Sequence, residues 1–223
     1  MKKLLGFAVI ILLLLGVLGV LLDFFAKSYT EEQISEAITH NTKAIGYANA
    51  SIDSFPFTWN LLKNGRVDHL KIALTNLTGL EIAVDELDVQ IDGLEMDKTA
   101  MFGRDHVEIK HVDGVTASVL LSTVRLRDVA GKFGIDLAFG EGTMTVAGVP
   151  ISLTVQGTDL VLQGGELPAV RVPIPAGDAE LLPCTPGASV SPKGVTLSCR
   201  ADHLPKILVD AIGSLDLRSQ LGG

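Results

Sequence analysis

The sequence predicts an α+β fold: one N-terminal transmembrane helix, then a long amphipathic helix packed in a strongly curved antiparallel β-sheet. Three observations carry this expectation. Leu4 to Leu22 form an uncharged run of nineteen residues. Ile34, Ala37, Ile38 and Ile45 recur at helical spacing. Most of the chain after Gly65 alternates with period two, and a slip of phase between Val84 and Leu87 predicts a β-bulge and a bent strand. A sheet bent in this way wraps around a helix or a ligand.

Lys2 and Lys3 precede the apolar run, which at ~1.5 Å rise per residue matches a hydrocarbon core of ~30 Å. A cleaved signal peptide has the same basic start, but its apolar run is usually shorter and ends at a small-x-small site. The nearest such site here ends at Ala26 with Phe24 two places before it, a poor fit. An uncleaved anchor over residues 1–27 is therefore favoured over a cleaved signal, and either one exports the chain. The basic start stays in the cytoplasm, which places the remainder outside the plasma membrane, in the periplasm or its equivalent. No second run approaches spanning length, so residues 28–213 form a single domain and 214–223 a loosely held tail.

Cys184 and Cys199 are the only cysteines. In an oxidising compartment they are expected to form one disulfide closing a local loop. The chain carries 18 Lys+Arg against 26 Asp+Glu, a net charge of −8. Without residues 1–27, which hold Lys2, Lys3, Lys27 and Asp23, the balance is 15 against 25, or −10. A body this acidic lacks the basic footprint of a nucleic-acid binder and the polybasic patch that holds anionic lipid head groups. Any lipid it handles must be held mainly by its acyl chains.

Ser28 to Ala44 reads as a helix, with Ser28 and Glu31 at capping-box spacing. Ala48 to Ile52 reads as a strand, the Phe55-Pro56-Phe57 corner follows, and Thr58 to Lys63 is a short helical turn closed by Asn64-Gly65. Alternating strands then run from Gly65 to Ile91. Leu94 to Phe102 is a connection, and Val107 opens a strand to about Leu121 with an irregularity at Asp113-Gly114. Ser122 caps a second amphipathic helix through Lys132, whose inner face carries Leu126, Val129 and Phe133. A meander follows, with strands at Leu137, Met144 to Val146, Ile151 to Val155 and Leu160 to Leu162. The two prolines of Arg171 to Pro175 confine that segment to an edge or a crossing. Val195 to Cys199 is the last strand, and Leu204 to Gly213 a short terminal helix.

The chain has no G-x-S-x-G elbow, H-E-x-x-H helix, Walker loop or G-x-G-x-x-G fingerprint, and no catalytic residue, metal ligand or cofactor is assigned. Asp85, Glu86, Asp88, Asp92, Glu95 and Asp97 form the densest acidic stretch, but their spacing is not that of an EF-hand loop. Asp88 and Asp92 alternate with Leu87, Val89 and Ile91, so a solvated strand face is the favoured reading.

Apolar residues in connections are more informative. Phe55, Phe57, Trp59, Leu61 and Leu62 fall within eight residues of a chain that is only 5% aromatic, and Met96, Met101 and Phe102 sit in a second connection. Such residues are either plugs packed on the core or the lining of an apolar site, a role that aromatic and Met side chains suit. Phe55, Phe57, Trp59, Leu62, Met96, Met101 and Phe102, with Val129 and Phe133, are the candidate lipid-binding residues.

Taken together, the N-terminal anchor, the amphipathic helix, Phe55-Pro56-Phe57 followed by Leu61, Leu62 and Gly65, the alternating strands, and Arg171 to Pro175 followed by Pro192-Lys193-Gly194-Val195 resemble the LmeA family of phospholipid-binding proteins of actinobacterial cell envelopes. The resemblance covers residues 28–210 and departs at Thr58-Trp59, where a leucine-rich continuation is usual. It implies a half-barrel similar to the tubular lipid-binding (TULIP) proteins, cradling a long helix and offering an apolar groove for acyl chains. It also implies a non-enzymatic role in envelope lipid or lipoglycan assembly. The partners expected are phospholipid, the cell membrane, and an envelope glycosyltransferase or other membrane protein, with no nucleic acid. The alternative is an anchored scaffold that stabilises a membrane-bound envelope enzyme.

Overall fold

The computed structural model describes residues 2–41, 46–77, 84–97, 108–132, 134–157, 159–164, 169–173, 182–205 and 208–209, without the side chains of residues 2–13, 40, 41, 129, 170, 172 and 173. The fold is α+β. Helix α1 (Lys2–Asn41) leads into strand β1 (Tyr47–Ile52), helix α2 (Phe57–Asn64) and the long strands β2 (Arg66–Leu77) and β3 (Val84–Met96). The short β4 (Ile109–His111) and β5 (Gly114–Ser122) precede helix α3 (Thr123–Gly131). Strands β6 (Leu137–Phe139), β7 (Met144–Val146), β8 (Val149–Gln156), β9 (Asp159–Gln163) and β10 (Val170–Pro173) form the meander. Strands β11 (Gly187–Ser191) and β12 (Gly194–Ala201) come last.

The strands divide into two antiparallel sheets where one curved sheet was expected. The larger runs β1-β2-β3-β5-β12-β11 with β4 beside β3, and the smaller runs β10-β9-β8-β7-β6. Register in the larger sheet aligns apolar residues in rows across the strands. Ala48, Leu74, Leu87, Val119 and Leu197 form one row, and Ile52, Leu70, Ile91, Val115 and Ala201 another. From Leu70 to Leu197 the large side chains of these rows are no more than 2% exposed. Burial on one face with polar residues on the other is what period-two patterning dictates for a one-sided sheet.

Helix α1 runs through Ser28 without interruption, so the expected capping box is not a helix start. An existing helix extends at less cost than a new one nucleates, and the apolar run before Ser28 is already helical. The polar side chains of this stretch serve the sheet. Ser35 Oγ accepts from the N–H of Ala50 at 2.9 Å and Glu31 Oε1 from that of Ile52 at 2.6 Å. Both donors belong to β1, the edge of the larger sheet, and would otherwise lack a ladder partner. Ala48 and Ala50 are small enough for the helix to approach, and Ile34 and Ile38 are buried in the core cluster.

The predicted transmembrane helix is not supported by the described residues, among which no helix is long and apolar enough to cross a membrane. The side chains of residues 2–13, which hold more than half of the apolar run, lie outside the description. The described remainder, Leu14 to Leu22, is exposed on all its large apolar side chains.

The phase slip at Val84 to Leu87 is present, but it is not a one-sided bulge. Leu74 pairs with Leu87 and Leu77 with Val84, so both strands slip together and register is kept. All four residues are buried, and Asn76 between them has φ 56°. A matching kink lies at the other end of the hairpin, where Gly93 has φ 61°. A Cβ on Gly93 would collide with the Asp113 carboxylate, and its absence lets Arg66 reach Asp113 at 2.6 Å and Glu95 at 2.9 Å. The β2–β3 ladder is therefore interrupted at two points, each at a residue in the left-handed region.

The described part of the proline-bearing segment, β10, pairs among the described residues only with β9 and lies at an edge, one of the two placements its sequence allowed. Most of the expected terminal helix lies outside the described residues. Cys184 and Cys199 form a disulfide with a Cα–Cα distance of 5.9 Å, tying the approach to β11 onto β12.

Candidate functional site

Two groups of apolar residues stand out, one at the junction of α1 and α2 and one between the sheets. The junction is built on Asp23, only 8% exposed at the end of the apolar run. Its carboxylate accepts from the backbone N–H of Phe57 at 2.9 Å and of Thr58 at 2.6 Å. These are the first two residues of α2, whose orphan N–H groups need acceptors. Pro56 supplies no side-chain cap, so a carboxylate from α1 takes that role. At the other end Gly65 (φ 67°) donates to the carbonyls of Asn60 and Leu61, the left-handed ending that Asn64-Gly65 signalled. Ser54 Oγ donates to Asp68 at 2.9 Å and Asn60 Nδ2 donates to it at 3.1 Å, fastening α2 to β2.

Helix α2 carries apolar residues on two sides. Phe57 is 1% exposed and belongs to the core, with Leu61 packed against it. Phe55, Trp59 and Leu62 point away from the core, 71%, 61% and 54% exposed. Of the nine candidate lipid-binding residues, then, Phe57 plugs the core while Phe55, Trp59 and Leu62 lie on the surface beside it. Met96 is half-buried against the core cluster, and its N–H donates to Gly65 O at 2.8 Å, next to the end of α2. Met101, Phe102, Phe133 and the Val129 side chain lie outside the described residues.

Apart from Leu126, which sequence reasoning placed on the inner face of α3, the second group was not singled out. Leu153 and Val155 of β8, Leu162 of β9, Phe139 of β6, Leu126 of α3 and Val190 of β11 are half-buried and pack on the core cluster. Leu160 of β9 is buried within that cluster, so the smaller sheet lies against it. The Arg127 guanidinium sits 5.9 Å from the Phe139 ring centroid, and the N–H of Gly142 donates to Val190 O, linking the edges of the two sheets. Alternation along β8, Leu153 and Val155 half-buried with Ser152, Thr154 and Gln156 exposed, was the available signal. Nothing in it distinguished a core face from a ligand face.

The polar features are structural. Asp85 accepts from the Ser122 N–H at 3.0 Å and from Arg125 Nε at 3.2 Å, holding the start of α3. Burial pushes its pKa up, but the bonds from Ser122 and Arg125 outweigh this and hold it below the usual carboxylate range. Within the acidic stretch, Asp92 meets His69, Glu95 meets Arg66 and Asp97 meets Lys110. Among the described residues no group of three or more His, Cys, Asp or Glu is placed to hold a metal ion. A depression of about 310 Å³ over β1 to β3 is lined by Ser51, Asp53, His69, Lys71, Gln90 and Asp92 together with Leu70 and Ile91, and it is open to solvent.

The family model of LmeA-like phospholipid-binding proteins matches residues 21–212, starting just before Asp23 and running past β12. No curated protein and no solved structure matches the chain.

Proposed function

Because the chain belongs to the LmeA-like phospholipid-binding family, we propose that it binds phospholipid by sheltering acyl chains between its two sheets, in a binding rather than a catalytic role. The observation that carries this reading is the half-buried apolar stripe of Leu153, Val155 and Leu162 facing the closed core of the larger sheet. Side chains that are neither sealed nor solvated offer apolar surface to a chain sliding between the sheets. Each methylene buried there contributes ~0.8 kcal/mol, so six contribute ~5 kcal/mol. The acidic body leaves the head group loosely held. The twin kinks of the β2–β3 hairpin supply the curvature of a TULIP-like half-barrel.

In this proposal the run Leu4 to Leu22 holds the chain in the plasma membrane, with Lys2 and Lys3 cytoplasmic and residues 28–213 outside. The exposed apolar surface of Leu14 to Leu22 supports an anchor, and the disulfide supports an oxidising compartment. There the domain presents lipid for envelope lipid or lipoglycan assembly, to a membrane-bound glycosyltransferase or another membrane protein.

Purification of residues 23–213 without detergent, followed by mass spectrometry, tests the binding reading. Retained phospholipid is expected, and Leu153→Asp should abolish its retention. A protein that is consistently empty and takes up no lipid from vesicles would overturn it.

A further inference from the structure

Helix α2 has two apolar faces, and among the described residues only one of them packs on the core cluster. At ~100° per residue, Trp59 and Leu62 project about 140–200° away from Phe57. Phe57 and Leu61 fill the core side. Phe55, in the turn that enters α2, is exposed as well, and all three side chains are more than half exposed. Two apolar side chains turned outward on a helix this short, with a third at its entry, fit a second apolar phase.

The surroundings of α2 on α1 identify that phase. Asp23 is the residue directly after the apolar run, and its bonds to Phe57 and Thr58 fix α2 at that level of α1. Above it Leu14 to Leu22 are exposed, and within two turns below it Phe24, Phe25 and Tyr29 are exposed as well, at 64%, 66% and 49%. Exposed apolar side chains of α1 therefore lie on both sides of the level at which α2 is fixed. Aromatic rings and a short two-sided helix at that level match the membrane–water boundary. Lys63, whose ammonium lies 5.3 Å from the Trp59 ring centroid, and Lys27 near the same junction are the cations there.

We infer that α2 is a membrane-interface seat: Phe55, Trp59 and Leu62 insert among the lipid head groups and hold the domain against the bilayer in one orientation. The occupant of this face is the lipid surface, not a lipid molecule carried inside the domain. The inference rests on the membrane reading of Leu4 to Leu22 and is independent of acyl-chain storage between the sheets.

Trp59 is the only tryptophan, so fluorescence of the full chain reports on this site alone. The chain is reconstituted into phosphatidylcholine vesicles, with or without lipid brominated near the ester end of one acyl chain. Trp59 emission should be blue-shifted, shielded from aqueous iodide and strongly quenched by the brominated lipid. Phe55→Ser with Leu62→Ser should restore iodide access while the far-UV circular dichroism of the full chain is unchanged. Emission that iodide quenches and brominated lipid does not would overturn the inference. So would bromine quenching that persists after transfer into unbrominated vesicles, because it marks a lipid kept inside the protein. Storage fails separately, if Trp59 is shielded as expected but residues 23–213 retain no phospholipid.

Discussion

Asp23 Oδ2 accepts the backbone N–H of Phe57 at 2.9 Å across a sequence separation of 34 residues. This contact joins the exposed apolar part of α1 to the most deeply buried aromatic among the described residues. Because Asp23 also accepts from Thr58, one carboxylate caps a helix that has no cap of its own. The orientation of α2, and with it of Trp59 and Leu62, depends on that side chain.

Asp23→Ala should destabilise the domain by about 1–3 kcal/mol, since the Phe57 N–H is left buried without an acceptor. Asp23→Asn keeps one acceptor oxygen and should cost less. Denaturant unfolding of residues 23–213 measures both, and an unchanged midpoint for the alanine variant would refute the capping role.

The two faces of α2 should separate in a mutant pair. Phe57→Ala removes a ring that is 1% exposed and should cost about 3–5 kcal/mol. Trp59→Ala, at 61% exposure, should stay within about 0.5 kcal/mol of the parent. Chemical denaturation gives both values, and a reversed order would contradict the assignment of inner and outer faces.

Acid should weaken the attachment of α3. The folded-state pKa of Asp85 is lowered, its bonds from Ser122 and Arg125 outweighing burial. A depressed carboxylate stabilises the fold fully above its unfolded value of ~3.9, and that contribution is lost as pH falls through the folded pKa. Asp85→Asn should therefore flatten the acid limb of the stability profile and change little in its shape near neutrality. Unfolding free energies measured across the acid range check this, and an unaltered acid limb would count against it.

Reduction of the Cys184–Cys199 disulfide, whose partners are 15 residues apart, should lower stability by about 2–3 kcal/mol. The bond ties the chain before β11 to β12, so loosening should appear first at that edge. Thermal unfolding with and without reductant, with hydrogen exchange at Gly187 to Ser191, reads both effects.

Much of this fold is visible in the linear pattern. Period-two alternation marked β2, β3, β5, β8 and β12, Ser122 marked the start of α3, and two prolines confined β10 to an edge. Each of these signals is local, set by side-chain direction or backbone sterics within a few residues. Strand β11 escaped because Gly187 to Ser191 has only Ala188 and Val190 facing inward, too weak an alternation to read alone.

The sequence by itself determined the apolar run, the acidic balance, the alternation of most strands and the family resemblance, because composition and periodicity do not depend on what packs against them. Only the tertiary structure decided which side of α2 is core and which is surface, since Phe57 and Trp59 are equally apolar and two residues apart. It likewise decided that the Val84 to Leu87 slip is shared by both strands, and that the meander forms a second sheet. It also turned Glu31 from a partner of Ser28 in an expected helix start into an acceptor, beside Ser35, for an edge strand. In each case the outcome depends on a partner many residues away, which local periodicity does not encode.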